Sequence, residues 1–132
     1  MKDARKEILL HAGLLWFRAL MGAGIASHGA VKIFGGKMDA FARGVASMGF
    51  PFPEFFAWSA ALSEFAGGIF IILGLYTRPS AFFVAVTMAA AAFLKHAGDP
   101  FSDKELALAY GTAAVMFMIA GPGRFSVDSR SA

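Results

Sequence analysis

Cysteine is absent from the 132 residues. The chain therefore makes no disulfide, ligates no iron–sulfur cluster through thiolates and performs no thiol exchange of its own. No haem, iron–sulfur or thiol cofactor is evident. Any redox role has to run through a bound cofactor, a quinone or a partner. Charge is also scarce, at 16% of residues against about 25% in soluble domains. The formal net charge of +3 is too small and too dispersed for a nucleic-acid binder, and no basic stripe alternates with aromatics. A cleavable signal peptide is not expected. The first apolar segment is too long for an h-region, and no A-x-A site precedes a polar mature chain.

What is abundant is apolar. Hydrophobic residues make up 58% of the chain, above the roughly 45–50% of soluble domains. The mean hydropathy of +0.62 agrees. Fifteen Phe and fifteen Gly suit a membrane bundle, where glycine lets helices approach closely. The expected fold is all-α: an integral membrane antiparallel four-helix bundle in one domain.

Four apolar segments carry that expectation. They run over about 8–32, 55–75, 80–96 and 104–120. The first extends roughly 37 Å at 1.5 Å per residue, enough to cross a bilayer with some tilt. The last two are short, and span only with their polar ends or where the bilayer thins. Gly35-Gly36, Pro51 and Pro53, Gly98-Asp99-Pro100 and Gly121-Pro122-Gly123 mark the breaks. The longest connection, about 34–54, holds residues 38–43, which read as a short interfacial helix. Phe41, Phe50, Phe52, Phe55, Phe56 and Trp58 resemble an interfacial aromatic belt.

Four spans put both termini on one side. That side holds Lys2, Arg5, Lys6, Arg78, Arg124 and Arg130. The other holds Lys37, Arg43 and Lys104, with Lys32 and Lys95 at helix ends. The positive-inside rule then places the termini in the cytoplasm.

Ionisable side chains interrupt these segments. Arg18 lies midway along the first and Glu64 midway along the second. His28 and Lys32 close the first, Lys95 and His96 the third, and Glu105 opens the fourth. Ionisable groups at membrane depth are costly, so they tend to be paired, inward-facing and functional. Arg18 and Glu64 are expected to pair. His28, Glu64, His96 and Glu105, with Lys32, are expected to converge on one outward-opening pocket. The plainer reading keeps Lys32 snorkelling to the headgroups, His28 at the interface, and Arg18–Glu64 as a structural bridge.

His28, Glu64, His96 and Glu105 are also metal-ligand types. A metal is not expected, because no E-x-x-H pair occurs and Lys32 and Lys95 would repel a cation. Gly-Pro-Gly-Arg at 121–124 lacks the ending and the preceding strand of a phosphate loop, and reads as a helix stop with a basic anchor. Gly67-Gly68, with Ala60 and Ser63, reads as close helix packing.

These residues, in this order, resemble the DoxX family of small four-span membrane proteins. The resemblance runs from about Gly13 to Asp128. It rests on Arg18 and the glycine-rich run after it, on His28-Gly29-Ala30-Val31-Lys32, and on Glu64-Phe65-Ala66-Gly67-Gly68 leading to Leu73-Gly74-Leu75-Tyr76-Thr77-Arg78. It continues through Lys95-His96 and Glu105 to the run from Gly121 to Asp128. The resemblance implies a bacterial inner-membrane location and a link to quinone- or sulfur-linked oxidoreductase complexes and oxidative stress. Related four-span proteins act as assembly factors or receptors, so the family sets the fold more firmly than the reaction.

The sequence reading is therefore a membrane subunit binding a small redox-active molecule, foremost a quinone, between its helices. His28 and His96 would contact the ring oxygens, Glu64 would relay a proton, and Arg18 would set its charge. Lys32 and Glu105 would pair at the mouth. Nothing in the chain supplies electrons, so an electron-donating partner protein is expected beside the lipid bilayer. A homo-oligomer is compatible with this. Two rivals stand: a non-enzymatic assembly or chaperone-like membrane protein, and a small transporter of a weak acid or anion.

Overall fold

The computed structural model describes residues Met1–Ala132, and they form helices and turns with no strand. α1 spans Lys2–Phe34, α2 Met38–Ser47 and α3 Pro53–Leu73. α4 spans Thr77–Ala90 and runs on into a π-helical turn, Ala91–Lys95. α5 spans Phe101–Ala120 and α6 Asp128–Ser131. The expected short helix from residue 38 is α2, which runs on to Ser47. Three helices are long and apolar enough to cross a membrane: Lys2–Phe34, Pro53–Leu73 and Thr77 through Lys95. α5 differs because Asp103, Lys104 and Glu105 crowd its first turns.

The stops follow local chemistry. Pro53 opens α3, where a missing N–H costs nothing. Gly74 ends it in the left-handed region at φ 66°, open to glycine without a Cβ penalty. Pro79 sits in the first turn of α4, where proline is tolerated.

α1 lies along α3, α3 along α4, and α4 along α5, while α1 meets α5 chiefly through side chains, Phe17 against Phe117 and His28 against Tyr110. The α1–α3 seam is made of small residues. A Cβ on Gly68 would lie 2.5 Å from the Ala26 nitrogen and 2.7 Å from the Gly22 carbonyl oxygen. One on Gly22 would lie 2.7 Å from Ile72 Cγ1. Gly22 thus faces Ile72, Ala26 faces Gly68, and Gly29 faces Phe65. From Gly29 back to Ala26 and on to Gly22, α1 steps three and then four residues, and α3 steps forward by the same amounts from Phe65 to Gly68 to Ile72, so these two helices run in opposite directions. Ile25, Ile71, Val84, Met88, Ala113 and Phe117 form the core between the helices.

Only 24 of 132 residues are buried, although most of the chain is apolar. Leu9, Leu10, Trp16, Phe83, Phe93 and Ile119 all point outward. An apolar surface this extensive calls for lipid.

Candidate functional site

Two polar sites sit toward opposite ends of the α1–α3 pair. At one, Lys32 Nζ donates to Glu64 Oε2 across 2.5 Å. The Glu64 side chain is 5% exposed and that of Lys32 24%. Lys32 also lies over the Phe41 ring, 4.6 Å from its centroid, a cation–π contact that ties α2 to the pair.

The pair lines a cavity of about 590 Å³ between α2, α3, α4 and the π turn. Most of its wall is apolar. Phe41 and Val45 come from α2, Met48 from its C-terminal cap, and Phe56 from α3. Ser59, Ser63 and Thr87 are its hydroxyl residues. Each donates its proton to the carbonyl one turn back, to Phe55, Ser59 and Phe83 respectively. Their lone pairs are what remain for a guest. Lys95, at the end of the π turn, also lines the cavity and has no carboxylate partner. π turns recur at functional sites because they displace side chains from the regular helical register.

At the other end, Arg18 is 1% exposed. Its Nε donates to the Ile72 carbonyl at 3.2 Å and its Nη2 to the Phe125 carbonyl at 2.6 Å. Nη1 donates to the carbonyl of Pro122. The guanidinium thus joins α1, the end of α3 and the segment after α5. Gly74 leaves room for it, since a Cβ there would stand 3.1 Å from Arg18 Cζ. Asp128 completes this end. Its carboxylate accepts from the backbone N–H of Tyr76 at 2.8 Å and of Thr77 at 2.9 Å, satisfying free donors at the start of α4. Burial pushes the Asp128 carboxyl up. The hydrogen bonds from Thr77 and Tyr76 and the nearby Arg18 charge outweigh this and hold it below its ordinary value. His11 Nδ1 accepts from the Arg124 N–H at 3.2 Å.

Several expectations need correction. Arg18 does not pair with Glu64. In the α1–α3 register it comes level with the end of α3, about twelve residues beyond Glu64, or roughly 18 Å along the axis. Lys32 does not pair with Glu105, because Glu64 holds it. The expected convergence is partial. Glu64 and Lys32 meet, but His28, His96 and Glu105 do not line their cavity. His28 packs edge-on against Tyr110 of α5, with centroids 5.7 Å apart. His96 Nδ1 lies 2.7 Å from Asp99 Oδ2 in the turn before α5. Glu105 lines a separate cavity of about 430 Å³, with Phe17, Leu108 and Met116.

Sequence reasoning gave no site role to Asp128, which it placed only in the family-like run, to Ser63, which it read as packing, or to His11, Ser59 and Thr87. Only the i,i+4 spacing of Ser59 and Ser63 signals a shared face beside Glu64.

The DoxX family profile matches residues 13–97. The chain belongs to the DoxX family. It is a membrane protein with three long apolar helices. The matched stretch takes in most of α1 through the π turn, and so every residue lining the Lys32–Glu64 cavity. It stops short of α5 and of Pro122, Phe125 and Asp128. An uncharacterized protein of Haemophilus influenzae is 37% identical over 78 residues, 54% of this chain. The match takes in 58% of that relative's length. No solved structure matches.

Proposed function

We propose that this DoxX-family protein crosses a bacterial inner membrane four times, antiparallel, with both termini cytoplasmic, and binds a quinone in the Lys32–Glu64 cavity. The observation that carries the reading is a buried ion pair opening onto an apolar cavity of about 590 Å³. Ligand cavities of this size are typically apolar with a few fixed polar groups.

The residues present fit a quinone. Lys32 and Lys95 offer N–H donors to ring oxygens, and Phe41, Phe56 and Phe83 offer flat apolar walls. A bound quinone would take up electrons together with protons, the electrons coming from a partner protein. Lys32 orients the head, since one of its donors goes to Glu64 and the others remain free. Glu64 exchanges a proton at its carboxylate, beside the Lys32 ammonium that holds it. α2 covers the cavity and excludes water. Arg18 serves architecture in this reading, and His28, His96 and Glu105 have no direct contact with the quinone.

The test is equilibrium binding of a short-chain benzoquinone to purified protein, by tryptophan quenching. Lys32→Met should weaken binding about tenfold, the loss of one charge-assisted hydrogen bond. Glu64→Gln should leave it within a few-fold. Equal binding by wild type and Lys32→Met would remove the site. For topology, a cysteine at Ser47 should react with an impermeant outer reagent and one at Ser129 should not. The reverse pattern would invert the orientation.

A further inference from the structure

A second cavity of about 390 Å³ adjoins the first, and Ser59, Ser63 and Phe83 line both. It runs between α3 and α4. Its floor is low at Ala66, Gly67 and Ser80, and its sides are Leu62, Phe70 and Phe83. Both walls reach outward: Leu62 is 48% exposed and Phe83 58%. The charged groups of the site all lie in the first cavity, and none lines the second. The pair of cavities is therefore charged at one end only; the other end is walled by Leu62, Ala66, Phe70 and Phe83 with serine hydroxyls among them, and opens to the lipid side.

We infer that the ligand of the Lys32–Glu64 cavity is a lipid-tailed amphiphile whose head sits beside that pair and whose apolar tail lies in the α3–α4 groove. This rests on the quinone reading for the head and adds the tail and the route. The ligand loads sideways from the bilayer between α3 and α4, under Phe83, and never has to pass through water. Several features point to this occupant. A compact soluble ligand would leave the second cavity without purpose. A wholly apolar chain would leave Lys95 and the free lone pairs of Ser59 and Ser63 without a partner. A molecule polar at one end and apolar along its length matches both. Gly67 and Ala66 matter because they keep the floor low. Gly67 already has Val84 so close that an added Cβ would stand 2.9 Å from Val84 Cγ2.

The experiment uses the full chain in phosphatidylcholine vesicles and a dimethoxybenzoquinone bearing a decyl chain with a diazirine at its far end. After irradiation, labelled peptides are mapped. Label concentrated at Leu62, Ala66 and Phe70 supports the tail groove. Label spread over the outward faces of α1, at Leu9, Leu10 and Trp16, overturns it. Ala66→Phe fills the groove, and should weaken the decyl compound about tenfold, the burial of roughly two methylenes. It should leave the same quinone without its chain unchanged. Equal loss for both compounds, or none for either, counts against the tail groove. Excess chain-free quinone separates the two claims. Groove label displaced by it supports head and tail together. Groove label that resists it, and survives Lys32→Met, keeps the tail groove and removes the quinone head.

Discussion

Lys32 of α1 holds Glu64 of α3 across 2.5 Å, and both side chains face the same cavity. The contact joins two helices whose middle seam is glycine and alanine, with the Arg18–Ile72 bond at its far end. It therefore fixes their rotation as well as charging the cavity wall.

Removing Lys32 alone leaves Glu64 buried without its cation. Lys32→Met should destabilise the protein in detergent by about 1–3 kcal/mol, below the value for a fully buried pair because Lys32 is partly exposed. Adding Glu64→Gln should recover much of that loss. Thermal unfolding of the wild type, both single variants and the double variant reads the coupling. Additive losses would mean that the two side chains act independently.

Arg18→Lys keeps the charge but not the planar fork that reaches three carbonyls. We expect a loss of about 2–3 kcal/mol, with the segment from Gly121 to Ser131 becoming sensitive to protease. The cavity end should be unaffected. Quinone affinity equal to wild type beside a faster-cleaved segment is the expected pair of results. A segment as resistant as before would mean that other contacts hold it.

Asp128 makes stability depend on pH. Its folded pKa is held below 3.8, so the unfolded chain binds its proton first as pH falls. Its stabilising contribution is complete above the unfolded value, and disappears as pH drops through the folded one. The melting temperature should therefore fall from about pH 5 downward. Asp128→Asn should lower it at neutral pH and flatten this acid slope. An unchanged slope in the variant would assign the acid sensitivity to other carboxylates.

Gly68→Ala should cost about 1–3 kcal/mol, because the added methyl meets backbone of α1, which cannot rotate away. Gly13→Ala is the control. Nothing lies within 4 Å of its added carbon, and alanine favours the helix. Parallel unfolding curves for the two variants would show that the α1–α3 seam is looser than its geometry.

The all-helical character was legible because apolar runs and Gly/Pro breaks are local signals, and Gly35-Gly36 and Gly121 do stand at helix ends. The pairing of charges was not, because it depends on register. Arg18 and Glu64 are both mid-segment in sequence, yet the approach of Gly22, Gly29 and Gly68 slides α1 so that Lys32 comes near Glu64. His28 shares a helix face with Lys32 in sequence. Even so, its short ring packs against Tyr110, while the long lysine reaches α3. Asp128 stood out only as the end of the family-like run, and its role did not, since its partners Tyr76 and Thr77 lie about fifty residues away.

Arg18 reads only peptide carbonyls at Pro122 and Phe125, a group every amino acid carries. The lock is therefore blind to side-chain identity and strict about spacing. Substitutions at 122 and 125 leave both acceptors in place, so these two positions are free to drift in composition, whereas Gly121 and Gly123 at positive φ are not. A single residue inserted between Gly123 and Arg124 would carry one acceptor out of reach while leaving every existing side chain intact.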